Sequence, residues 1–177
     1  MKITLVRHGE IDNNYLGAYN GHIDIGLSKH GNEQALELAK QFKNEKFDAY
    51  FCSDLIRARE TLKPFRVKAV YTSKLREKSW GRHEGLRYDV IVKQEGIEYE
   101  SFDQWLNLLD GENYLDFIQR VRVFFFEELP KMGYENIFVM THAGVIRVLY
   151  HLHQDISLQE AFSKKFPYAS YAILSLT

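Results

Sequence analysis

Short apolar runs of strand length alternate with stretches of helical spacing along this 177-residue chain. That alternation limits the fold more than any other feature. Ile3 to Val6, alternating with Lys2 and Thr4, reads as a first strand. Phe47–Cys52 and Val67–Tyr71 read as the second and third. Ile137–Met140 is apolar throughout and suits a central strand, and Tyr168–Leu176 reads as the last. A helix begins at Ser28, a good N-cap, with Leu36, Leu38, Ala39 and Phe42 behind it. Ser53 or Asp54 caps a second helix through Thr61, which Pro64 ends. Tyr114–Leu129 and Val145–His153 are further helices, the former stopped by Pro130 and Gly133. Residues 78–113 break the rhythm: Gly81, Gly85, Gly96 and Gly111 punctuate two weak helical segments, Leu86–Gln94 and Phe102–Leu109. This reads as an insertion acting as a lid. Strands alternating with helices imply a three-layer α/β/α fold around a mostly parallel sheet, here one domain over residues 1–177.

Composition narrows the class. Tyr and Phe number 11 and 12 against 3 Pro, so a packed core is expected, not disorder. A net charge of −1 gives no reason to expect nucleic acid. The basic run from Arg57 to Lys78 reads first as a solvated face whose field could draw in a small anion. One cysteine, Cys52, permits no internal disulfide, and no apolar run nears the ~20 residues of a membrane helix. No signal peptide is visible, and a cytoplasmic protein is expected.

Ligands bind open α/β sheets beyond the carboxyl ends of the strands. Arg7 and His8 follow the first strand, Arg57 opens the helix after the second, Glu77 follows the third, and His142 follows the apolar strand. All five therefore reach one edge. Residues 9–27, rich in Gly and Asn, form a binding loop beside them. Paired guanidiniums suit phosphate oxygens, a neutral imidazole can attack phosphorus, and a carboxyl group can protonate the leaving oxygen. Glu84 competes with Glu77 for the acid role, and position just past a strand decides for Glu77. His22 and His83 lie in pocket loops and are candidate substrate contacts. His151 and His153, two apart on a helix, make a poor metal pair.

The ordered motifs Leu5-Val6-Arg7-His8-Gly9-Glu10, Ser53-Asp54-Leu55-Ile56-Arg57-Ala58, Leu75-Arg76-Glu77, Gly111-Glu112 and Thr141-His142-Ala143-Gly144-Val145-Ile146-Arg147 resemble the histidine phosphatase superfamily, the phosphoglycerate mutase-like fold. The resemblance implies that His8 is the phosphorylated nucleophile and Glu77 the proton donor. Arg7, Arg57 and His142 would hold the phosphoryl group, with Asn14, Asn20 and Gly21 completing the cradle and Ala143 beside it. No metal or other cofactor is implied. The expected ligand is a small phosphorylated metabolite, and the sequence does not set the oligomeric state. Ile11 stands where Ser or Thr is common, Asn20 where Thr is frequent, and Ala143 where Gly is usual. The short segment from Thr61 to Leu75 trims the usual pattern. The compact length is similar to that of alpha-ribazole phosphatases of cobalamin synthesis. Two alternatives remain: a cofactor-dependent phosphoglycerate mutase and a non-catalytic phospholigand-binding module.

Overall fold

The computed structural model describes residues 1–96 and 98–176. Its strands are β1 (Lys2–Arg7), β2 (Ala49–Ser53), β3 (Val70–Thr72), β4 (Asn136–Thr141) and β5 (Tyr171–Ser175). They form one sheet in the order β3-β2-β4-β1-β5, with β5 alone antiparallel. The helices are α1 (Lys29–Gln41), α2 (Ile56–Leu62), α3 (Tyr88–Glu95), α4 (Phe102–Leu108), α5 (Tyr114–Arg122), α6 (Ala143–Gln154) and α7 (Leu158–Ser163).

Side chains alternate across a strand, so a continuous apolar run must be covered on both faces. Ile3, Leu5, Ile137 and Val139 face α5 and α6 on one side. Val6, Cys52, Phe138 and Met140 face α1 and α2 on the other. Three layers follow directly.

Several boundaries differ from the sequence reading. Neither Ser53 nor Asp54 caps α2. Asp24 does so from the loop, its Oδ1 accepting the Ile56 N–H at 2.7 Å. Ser53 is engaged with His142, and Asp54 forms a two-pronged pair with Arg76 at 2.7 and 2.6 Å. Pro64 does not end α2; it lies within a 3₁₀ turn that follows it, Lys63–Phe65. The third strand begins at Val70, not Val67. The helix expected over 114–129 is α-helical only to Arg122 and π-helical over Val123–Glu128. The wider turn lets the consecutive Phe124 and Phe125 both enter the core. α7 was not foreseen, although Ser157 and Glu160 have capping-box spacing and the Ser157 side chain accepts the Glu160 N–H. Residues 78–113 hold α3 and α4, the two helical segments expected there, and Ile97 within this stretch lies outside the described residues.

Candidate active site

Strand register brings the two imidazoles together. Arg7 lies opposite Thr141 in the β1–β4 ladder, so the next residue of each strand, His8 and His142, stand side by side. Their ring centroids are 5.0 Å apart, and both rings are buried. Ser53 ends β2 at the same level, and its Oγ lies 2.8 Å from His142 Nε2.

The His8 imidazole has a defined tautomer. His8 Nδ1–H donates to the Gly9 carbonyl at 2.8 Å, which leaves Nε2 with its lone pair. His142 Nε2 shares a hydrogen bond of 2.8 Å with Ser53 Oγ, which also accepts the Leu55 N–H at 3.4 Å. His142 Nδ1 is buried without a partner among the described residues. Burial holds both imidazoles well below the usual histidine range, and Arg57 and Arg7 add to the effect. Both rings are neutral at physiological pH.

Arg57 is only 1% exposed. Its guanidinium donates to the carbonyls of Ile23 at 2.9 Å, Asn20 at 3.2 Å and Gly21 at 2.6 Å. It therefore shapes the loop as well as charging the pocket. Gly21 must be glycine there, since a Cβ would lie 2.2 Å from the Lys78 carbonyl oxygen. Arg7 donates to the Phe166 carbonyl at 2.5 Å and lies 3.9 Å over the Tyr168 ring.

Glu77 receives two backbone N–H groups, from Lys78 at 3.0 Å and from Gly144 at 2.9 Å. Gly144 is in the first turn of α6, so the carboxyl group sits at the positive end of that helix. A side chain at 144 would place its Cβ 2.0 Å from Glu77 Oε1. Glu84, the rival acid, is occupied. It accepts the N–H groups of His22 at 2.7 Å, Ile23, and Trp80 at 3.0 Å, together with the Ser79 hydroxyl at 3.2 Å.

A pocket of about 230 Å³ brings these groups together, with Arg7, His8, Arg57 and Glu77 in its wall beside Asn20 and Ala143. Five of the expected site residues are not in its wall: His142, Gly21, Asn14, His22 and His83. Asn14 is exposed on a 3₁₀ turn, its N–H donating to Asp12 Oδ1. His22 sits behind the acid, its Nε2 3.0 Å from the Glu77 carbonyl. His83 is wholly buried within the segment 78–113, where Nδ1 accepts the Asp110 N–H and Nε2 faces Glu95 at 3.0 Å. Gly21 acts through the carbonyl it offers Arg57. Ile11 lines the pocket with an apolar side chain, so the hydroxyl that its position commonly supplies is missing.

Other pocket groups escaped the sequence reading. Lys78, assigned there to a solvated face, is 1% exposed, with Nζ 3.0 Å from the Ser79 carbonyl and 4.1 Å over the Trp80 ring. Burial pulls its ammonium down to about 8, against the pull of Glu112 and Glu77. Arg147 lies one helical turn beyond Ala143, a spacing that puts both on one face. Tyr19, Trp80, Trp105 and Phe162 make an aromatic wall, fastened by the Trp105 Nε1–H donating to the Tyr19 hydroxyl at 2.9 Å. Trp80 and Trp105 both face the pocket and pack against the small apolar cluster of Ile91 and Leu109. Among the described residues, no group of three or more His, Cys, Asp or Glu is placed to hold a metal ion. None of the described helices is long and apolar enough to cross a membrane.

The chain is similar to known proteins. The adenosylcobalamin/alpha-ribazole phosphatase of Escherichia coli is 30% identical over 156 residues, covering 84% of this chain and 77% of that one. The metal-independent phosphoserine phosphatase of Arabidopsis thaliana is 30% identical over 159 residues, covering 84% and 67%. The crystal structure of the alpha-ribazole phosphatase from Shigella flexneri superposes with a TM-score of 0.87. That match covers 100% of this chain and 91% of that one at 24% identity, a likeness of fold. Residues 3–177 match the family model of the histidine phosphatase superfamily (branch 1). With that match over nearly its whole length, this chain belongs to the histidine phosphatase superfamily, and it is a phosphatase.

Proposed function

We propose that the protein hydrolyses a small phosphomonoester through a phosphohistidine at His8. The observation that carries this reading is the free Nε2 lone pair of a buried, neutral His8, in a pocket walled by Arg7 and Arg57. The lone pair attacks phosphorus and the ester P–O bond breaks. Glu77 passes a proton to the departing alkoxide. Water then attacks the phosphohistidine and gives a proton to Glu77. The N–P bond breaks, and its electron pair returns to Nε2. Arg7, Arg57 and His142 meet the charge on the phosphoryl oxygens throughout. Asn20 and Ala143 border the cradle.

The aromatic wall favours an alcohol half that carries a ring system, and alpha-ribazole 5′-phosphate fits that description. Residues 78–113 serve as the lid of a single domain. A single buried cysteine suits work in the cytoplasm.

A panel of p-nitrophenyl phosphate, alpha-ribazole phosphate, 3-phosphoglycerate and sugar phosphates, assayed with chelator present, tests the reading. Turnover that survives the chelator and favours the aryl-bearing metabolite by orders of magnitude is expected. No turnover of any ester would favour the binding module, and transfer to a second hydroxyl of the substrate would favour the mutase. Gly144→Ala provides a second test. The added methyl must displace the Glu77 carboxyl group, so kcat is expected to fall by about 10²–10⁴-fold, as for loss of a general acid. Wild-type kcat in that variant would move the acid elsewhere.

A further inference from the structure

Tyr114, the first residue of α5, lines the pocket and is 4% exposed, yet its hydroxyl has no hydrogen-bond partner among the described residues. Buried hydroxyls are nearly always paired, because an unmade bond leaves the cost of desolvation uncompensated. The ring cannot readily swing away to find a partner. It stands against Phe117 and Phe162, with centroids 5.8 and 5.7 Å away. Arg147 lies 5.4 Å over the same Phe162 ring and also lines the pocket. Among the described residues only its Nε is engaged, donating to the Lys164 carbonyl at 3.3 Å. An orphaned hydroxyl and a guanidinium thus flank one phenylalanine on the pocket wall, and the phosphoryl chemistry uses neither.

We infer that Tyr114 and Arg147 form a recognition subsite for an oxygen acceptor, a hydroxyl or a carboxylate, carried by the alcohol half of the substrate. The subsite rests on the phosphomonoesterase reading and adds to it a determinant of specificity. Burial and the nearby Glu77 carboxylate push the Tyr114 phenol above its usual range, so it stays protonated and can donate. A site built around such a donor discriminates strongly, since a substrate lacking the acceptor leaves the donor unpaired.

The test compares wild type with Tyr114→Phe on alpha-ribazole phosphate, O-phosphoserine and p-nitrophenyl phosphate, the last having no oxygen acceptor near the ester. The preferred acceptor-bearing ester is expected to lose at least about tenfold more kcat/KM than p-nitrophenyl phosphate. The urea midpoint is expected to hold or rise, because the variant removes an unpaired buried hydroxyl. Selective loss on O-phosphoserine identifies a carboxylate, and selective loss on alpha-ribazole phosphate a hydroxyl. Equal loss on all three esters, or a lowered midpoint, would overturn the subsite while leaving the phosphatase reading intact. A wild type that turns over none of the three would remove both.

Discussion

His8→Ala is expected to lower turnover of every phosphomonoester by about 10⁴-fold or more, the scale seen when a covalent nucleophile is deleted. What remains would come from the Arg7–Arg57 cradle, which can still bind and polarise the ester. The covalent step gives a second readout. Rapid quenching of wild type with labelled substrate should trap label on the protein in an acid-labile, base-stable linkage, as phosphoramidates are. His8→Ala should trap none. Persistent labelling of the variant would transfer the nucleophile to another side chain, with His142 the first to examine at 5.0 Å.

Arg57→Met should damage stability and chemistry together. Methionine is apolar, so the carbonyls of Asn20, Gly21 and Ile23 lose their buried donor. Charge-assisted bonds of this kind make a loss of about 3–5 kcal/mol in urea unfolding the expected result. The pH profile should move as well. His8 is held below its ordinary 6.5 first by burial, then by Arg57 and Arg7. The neutral ring attacks, so activity falls as the pH drops through the pKa of His8. Without the Arg57 cation that pKa rises, and the acid limb of kcat/KM shifts to higher pH. Burial still keeps it under 6.5. An unmoved acid limb would mean that another group governs it.

The alternating apolar runs made the layers and the shared edge legible, and with them the meeting of Arg7, His8, Arg57, Glu77 and His142. Those residues sit at strand ends or one turn beyond, where topology alone sets their neighbours. Long-range contacts were harder to read. That Asp24 would cap α2, or that His83 would be buried within the segment 78–113, depends on how loops fold over the sheet. No local period encodes that. Strand position favours Glu77 over Glu84 as the acid, whereas the four donors that converge on Glu84 come from loops whose meeting no local pattern announces. Nothing in the sequence marks Tyr114 beyond its place at the start of a helix. Only the accounting of its hydroxyl separates it from Phe117.

The place of β1 in the sheet has a consequence during synthesis. Its two neighbours, β4 and β5, lie more than a hundred residues further along the chain. Until they emerge from the ribosome, the run Ile3–Val6 has both edges bare and no core to enter. Pairing at such separation is slow and leaves an apolar strand open to the wrong partner. The segment that begins the nucleophile loop is thus made early and settled late. Chaperone dependence in the cell should therefore track substitutions in residues 2–6 more closely than those in the catalytic loops.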